Sequence, residues 1–384
     1  MSAQTKNEVM AKLRTRYAGA GPAYKSKLLD QAVELFGLHR KSAIRALRRS
    51  SPALRVGTPM GRPRQYEPAS LLPVLKPIWL GCQQPCGKRL VAALPDWIPA
   101  YEEEFGRLTN DVREPLLAAS AATLDRLLQP LRAQHRRRAG GTRPGTLLRQ
   151  QIPIATTPWD IRQPGYLELD TVALCGGSLE GDFTWMLDGV DFYSQWVEAR
   201  AVWNRGGHNT LEQLRDIEQR LPFPLLGIDS DNGGELLNWH VVRYCQERRQ
   251  PVQMSRSRPY HKDDNAHVEQ KNWTHIRQWF GYSRYDNPAV VPLLNDLTRG
   301  PWSQLHNFFC PTLKLERKEQ VGSQQRRVYG AAMTPYQRLL EHSSISKQKK
   351  AELQQQRAQL NPFALNREIE KRLKVILATA QLTT

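Results

Sequence analysis

Three carboxylates, Asp170, Asp231 and Glu269, stand far apart in the sequence, with residues 171–230 between the first pair and 232–268 between the second. Asp231 follows an aliphatic, β-branched run and precedes Gly233 and Gly234, which let the chain turn sharply and leave the carboxylate at a strand end. Glu269 falls in the first turns of a helical pattern that Asp263, Asp264 or Asn265 can cap. It shares a helical face with Trp273 and Ile276, so that face begins with an acid. Three inward acids repel one another, and burying them uncompensated is costly. A pair of divalent ions removes both objections. Mg2+ prefers hard oxygen ligands and keeps room for water and phosphate, and two ions about 3.5–4 Å apart can activate a nucleophile and stabilise a leaving oxygen in line. The set therefore predicts two Mg2+ ions as cofactors, with Mn2+ as a substitute.

The elements that must position these acids follow from periodicity. Residues 166–172 alternate, with Tyr166, Glu168, Asp170 and Val172 on one side; 183–191 and 193–203 read as the next two strands. A helix over 210–220, a buried strand over 225–229, a helix over 239–249 and a strand over 252–255 complete the order β-β-β-α-β-α-β-α. Three strands followed by alternating helices and strands is the order of an RNase H-like core, a mixed sheet covered by helices on both faces. Asp170 then lies in the first strand, Asp231 just after the fourth, and Glu269 near the start of the helix after the fifth. Asp188, Asp191 and Asp229 also lie in or beside predicted strands, but lack the glycine turn and read as capping, turn or supporting residues. His267 reads as a packing or hydrogen-bonding residue at the helix start, because two-metal phosphoryl transfer needs no histidine.

The flanks differ in character. The chain of 384 residues carries a net charge of +18, unevenly distributed. Residues 1–150 hold 26 Lys and Arg against 11 Asp and Glu, residues 151–285 hold 14 against 18, and the remainder is +7. An acidic island between basic flanks makes a polyanion the expected partner, because neutralised phosphates release counterions. Residues 1–50 read as a helix-turn-helix domain with helices over 6–17, 24–36 and 41–49, the last surrounded by Arg40, Lys41, Arg45, Arg48 and Arg49. A small three-helix bundle with a solvated basic face is the plainer alternative. Residues 51–66 form a basic linker in which Gly61-Arg62-Pro63-Arg64 resembles an AT-hook core, placing Arg62 and Arg64 in a minor groove.

A second helical DNA-binding domain spans 67–134, with helices over 71–80, 88–105 interrupted by Pro95 and Pro99, 111–119 and 121–132, Ser120 at or beside the turn, and Arg126 on the last helix. The acidic run 102–104 reads as a solvated face. A linker at 135–164, rich in Arg, Gly and Pro, leads into the core at 165–285. The C-terminal region, 286–384, has helices over 288–298 and 302–309, a basic stretch over 314–327 that binds DNA or forms a solvated loop, and a helical 346–380. There Ile369, Leu373, Ile376 and Ala380 form a stripe that either mediates oligomerisation or packs on the chain's own core.

Five cysteines argue against a disulfide framework, and Cys82 and Cys86 have no second Cys/His pair at zinc-ligand spacing. No long uncharged apolar run suits a membrane span, and no signal-peptide pattern opens the chain, so a soluble protein of the bacterial cytoplasm, associated with the nucleoid, is expected.

The stretches YLELDTV, LPFPLLGIDSDNGGE and SRPYHKDDNAHVEQKNW, with PCGKRLVAALP, ERKEQVGS and TPYQRLL outside the core, resemble DDE transposases with a retroviral-integrase-type catalytic core. Within these, the sequence is most similar to the ISNCY group of bacterial insertion-sequence transposases. The resemblance implies Asp170 and Asp231 as the two metal-binding aspartates and Glu269 as the acid of the third motif. It implies Asn265 as an amide near the DNA end, and Arg277 joins the candidate DNA contacts. The interval between the second and third acids departs from the usual 35 residues by two, and the retroviral zinc-binding amino-terminal pattern is absent, so end recognition falls to other modules. The implied activity is binding of an element's terminal inverted repeats, hydrolysis at its 3′ ends and strand transfer into target DNA by a homo-oligomer in a synaptic complex. The alternatives are a domesticated, catalytically inactive DNA-binding regulator and a structure-specific nuclease of the same fold.

Overall fold

The computed structural model describes residues 3–48, 65–134, 161–230, 236, 238–256, 272–321 and 324–381. Asp231, Glu269, Asn265, His267, Arg49, Arg62 and Arg64 lie outside them. The chain divides into two compact units, Met1–Arg64 and Gln65–Thr384. No helix among the described residues is long and apolar enough to cross a membrane.

The first unit is three helices, α1 (Ala3–Gly19), α2 (Pro22–Phe36) and α3 (Arg40–Arg48). Met10, Leu13 and Tyr17 of α1, Leu28, Leu29 and Ala32 of α2, and Ala43 and Leu47 of α3 recur at helical spacing and form one buried core. Gly37 ends α2 at φ 63°, a conformation in which a Cβ would be strained. Arg14 ties α1 to α3 by donating from Nε to the Ala46 carbonyl at 2.8 Å.

In the second unit, α4 (Pro68–Gly81), α5 (Gly87–Phe105), α6 (Asn110–Ala118) and α7 (Ala121–Gln134) precede the sheet. The interruption predicted at Pro95 and Pro99 does not occur, since α5 runs unbroken through both. A proline inside a helix costs about 3 kcal/mol. Burial of Leu90, Leu94, Trp97 and Ile98 on that helix offsets the cost. Ser120 does open α7, its Oγ accepting the Thr123 N–H at 3.2 Å.

The composition places a boundary at 135–164, yet the segments on either side share one hydrophobic core. Trp97 Nε1 donates to the Phe309 carbonyl at 2.9 Å, the Trp97 ring meets Phe363 edge-on at 5.2 Å, and Arg357 pairs with Asp96 at 3.1 Å. These links lie far apart in sequence, so composition cannot report them.

The sheet contains β1 (Tyr166–Ala173), β2 (Thr184–Asp191), β3 (Val197–Trp203), β4 (Gly227–Ser230) and β5 (Gln253–Arg256), in the order β3-β2-β1-β4-β5. The first three strands are antiparallel, and β4 and β5 add in parallel beyond β1. The helices α8 (Gly207–Arg220) and α9 (Trp239–Gln246) make the crossovers. The chain order is therefore the β-β-β-α-β-α-β that the periodicity predicts, in a mixed α/β architecture. The third strand is shorter than predicted: Ser194 and Gln195 fall in a turn, where Asp191 accepts the backbone N–H of both Gly165 and Ser194.

The outer edge of β3 is closed by two side chains. Asn307 accepts the Val197 N–H and donates to the Val197 carbonyl, both at 2.8 Å. Four residues on, Asn295 accepts the Ala201 N–H at 2.7 Å and donates to its carbonyl at 3.1 Å. Each amide reproduces the pair of bonds a further strand would make, so the edge has no open backbone groups at these positions.

Beyond the sheet, the basic stretch at 314–327 forms a hairpin of β6 (Leu315–Val321) and β7 (Gln324–Tyr329). The Ile369, Leu373, Ile376 and Ala380 stripe lies on the helix Pro362–Gln381 and packs into the unit's own core, with Ile369 and Ile376 fully buried. Packing on its own core thus accounts for the stripe.

Candidate active site

Residues directly opposite on neighbouring strands share a face of a sheet. Asp170 pairs with Asp188 across β1 and β2, and Glu168 pairs with Asp229 across β1 and β4. Glu168, Asp170, Asp188 and Asp229 therefore line one face, and the last two are buried with Glu168. The opposite face carries Arg200, whose guanidinium is fully buried between Glu198 and the α8 residue Asp216. One side of the sheet is acidic, and the other holds its charges in closed pairs.

The acidic face is covered by a π-helical turn at Asn272–Arg277 that runs into Gln278–Phe280, together called α10. Asp170 Oδ1 accepts the Thr171 N–H at 2.7 Å, while Oδ2 accepts the side-chain amide of Asn272 at 2.5 Å. Three residues along, His275 is buried with Nδ1 at 3.4 Å from Asp188 Oδ2. The neighbouring acids from β1 and β2 thus each meet a polar side chain of the same turn. Asp229 accepts the Ser255 hydroxyl at 2.5 Å.

At the open end of the sheet, Ser230 is the last residue of β4 and pairs with Leu169, the residue before Asp170. The next residue in the chain after Ser230 is Asp231. Glu269 precedes Asn272 by three positions in the sequence. Among the described residues, no three His, Cys, Asp or Glu side chains come together to hold a metal ion.

Asp191 is the buried turn residue the sequence suggests. Burial raises its carboxyl above the ordinary range despite the bonds it accepts from Ser194 and Gly165. Asp188 and Asp229 lie in β2 and β4, on the face that carries Asp170. Of the two side chains that meet the strand acids, Asn272 has a signal in the sequence, since i+3 from Glu269 shares its helical face, whereas His275 at i+6 has none.

The candidate DNA contacts fare differently. Lys41, Arg45 and Arg48 are exposed on α3. Arg40 is turned to α2, bonding the Asp30 carboxylate and the Ser26 hydroxyl. Arg126 folds along its own helix, its Nε donating to the Ala122 carbonyl at 3.2 Å. Arg277 is half-buried: Nη2 donates to the Ala173 carbonyl at 2.7 Å and the guanidinium lies 4.9 Å from the Tyr282 ring centre. Burial lowers its pKa, with Tyr282 and Cys175 opposing. Arg277 thus fastens α10 to the end of β1.

Among known proteins, an uncharacterized protein of Sinorhizobium fredii, y4rM, is 34% identical over 351 residues, spanning 88% of this chain and 96% of the relative. The chain belongs to the family of that protein. No family model matches the chain. Among solved structures, the catalytic core domain of BIV integrase aligns with 45% of this chain and 91% of its own, at 15% identity and a TM-score of 0.27. The strand order and pairing, rather than that likeness, define the fold.

Proposed function

We propose that this protein is a DDE-type transposase, a polynucleotidyl transferase that hydrolyses DNA at the 3′ ends of a mobile element and joins the freed hydroxyls to target DNA. The observation that carries the reading is the parallel pairing of β1 with β4, in which Leu169 is opposite Ser230. The residues that follow these two in the chain are Asp170 and Asp231, so in this proposal the two carboxylates stand side by side on adjacent chain segments. The Asn272 amide on Asp170 Oδ2 supports it, because that contact ties the chain segment just after Glu269 to the same carboxylate. Glu269 completes the set.

Carboxylates at Asp170, Asp231 and Glu269 are all-oxygen donors of the kind that Mg2+ or Mn2+ takes, and the donor set fits. Bound there, such ions supply an activated water and neutralise charge developing on the phosphate. The protein's own part is positioning. Asn272 and the Thr171 N–H fix the Asp170 carboxylate, His275 lies against Asp188 beside it, and Arg277 holds α10 to β1. Both reaction steps are in-line displacements at phosphorus and need no covalent protein–DNA intermediate. Binding of the terminal repeats is assigned to the first unit through Lys41, Arg45 and Arg48, with Arg49, Arg62, Arg64 and Asn265 as further contacts. A homo-oligomer brings two ends together, and the site of action is the bacterial nucleoid.

The test is a strand-transfer assay with Asp231→Asn. Loss of joined product with DNA binding retained is the expected result, and equal product from variant and wild type would remove the mechanism. Cleavage without joining in the wild type indicates the nuclease alternative. Binding with neither product indicates the inactive regulator.

A further inference from the structure

The turn that carries Asn272 and His275 also borders a cavity of about 570 Å3, within the size range of small-ligand sites. Four glutamines converge on it from three separate segments: Gln83 and Gln84 between α4 and α5, Gln195 between β2 and β3, and Gln278 on α10. Gln83, Gln84 and Gln195 hold positive φ, at 63°, 52° and 62°. Glycine adopts that conformation with less strain, so turns needing it select against long side chains unless the side chain has its own use. The strain at these three positions coincides with one cavity.

The lining defines the ligand class. Among the described residues it contains no aspartate or glutamate, so that lining does not suit a divalent cation. Its guanidinium, Arg89, donates its Nε to the Pro311 carbonyl and keeps its charge and its Nη donors, so the lining can also meet a phosphate of a bound strand. The Gln278 amide donates to Gln83 Oε1 at 3.0 Å and the Gln195 amide to the Phe192 carbonyl at 3.4 Å, so the Gln84 amide is the group left to offer donors and an acceptor, with the flat rings of His306 and Tyr329 beside it. A planar neutral group with donors and acceptors along its edge, such as a nucleobase, fits that chemistry. Tyr329 closes the hairpin on which Arg326 and Arg327 are exposed, while Arg317 pairs with Glu319, so a cationic surface adjoins the cavity and suits a nucleic-acid strand better than a free base.

We propose that the cavity receives an unpaired DNA base turned out of the helix beside the acidic face, a role that rests on the DNA-processing reading above. The Gln84 amide addresses the base edge, and Tyr329 stacks on it.

Cys86 provides the test, because it is exposed and lines the cavity, whereas Cys82, Cys175, Cys245 and Cys310 are buried. The full chain is bound to a duplex containing one unpaired thymine, or to the same duplex with an abasic site there. Binding is followed by anisotropy and Cys86 alkylation by iodoacetamide. The base-bearing duplex should slow alkylation and the abasic one should not. The variant Gln84→Gly removes the amide while relaxing the backbone at a positive φ, so it should fold with a melting temperature close to that of the wild type. Its preference for the base over the abasic site should fall roughly 5- to 150-fold, the span of one well-made base contact. Equal protection by both duplexes, no protection with DNA bound, or an unchanged preference in the variant overturns the pocket while leaving the DNA reading intact. If neither duplex binds, both readings fail.

Discussion

Asn307→Ala is a direct probe of how the five-stranded sheet is held together. Asn307 is fully buried, and its amide satisfies the N–H and the carbonyl of Val197 at 2.8 Å each. Truncation leaves both backbone groups without those partners at the covered edge of β3. Each orphaned buried group costs about 1–3 kcal/mol, so the variant should lose roughly 2–6 kcal/mol. The lower end applies if water enters the space left behind. Asn295→Ala should behave alike at Ala201, and the two losses should add, since each amide serves a different residue of β3. Urea unfolding followed by tryptophan fluorescence isolates the effect, because all ten tryptophans lie at or after Trp79 and report on the larger unit alone. The midpoint should fall at constant slope. A shift equivalent to less than about 1 kcal/mol would refute the claim that these amides stand in for a strand.

Other expectations follow from particular contacts. Burial by itself would raise the Asp216 carboxyl, but bonds from Arg200 and Arg299 more than offset it and hold it below the ordinary range. A depressed folded value means its stabilisation is present above the unfolded value near pH ~3.9 and lost as pH falls through the folded one. Asp216→Asn should therefore cost about 1–3 kcal/mol at neutral pH and flatten the acid limb of a stability-versus-pH curve, and an unchanged limb would sink the assignment. A Cβ on Gly87 would meet the Ala121 carbonyl oxygen at 2.1 Å, so Gly87→Ala should lower stability by about 1–3 kcal/mol. Gly177, with nothing within 4 Å, serves as the neutral control in the same melt. In the first unit, Lys41→Ala and Arg48→Ala should each reduce the salt dependence of DNA binding by about one in log–log slope. Arg40→Ala should leave that slope unchanged, because its guanidinium is bonded to Asp30 and Ser26; titrations across a KCl series compare the three.

Periodicity along the chain determined the order of strands and helices, since alternation at residues 166–172 and aliphatic spacing at Leu28, Leu29 and Ala32 are local signals of which face is buried. It also marked Asp170 as an inward acid on the first strand. Partners distant in sequence were decided only by the tertiary structure. Trp97 meets Phe309, so the helices before the sheet share its core, and α5 runs through two prolines because that burial outweighs them. The hairpin at Leu315–Tyr329 escaped notice because its strands are charged rather than alternating. Asn272 finds Asp170 across 102 positions, and Asn307 finds Val197 across 110. A sequence displays the chemistry of such side chains but not the folding that brings them together, because the free energy of each contact belongs to two residues that no local pattern connects.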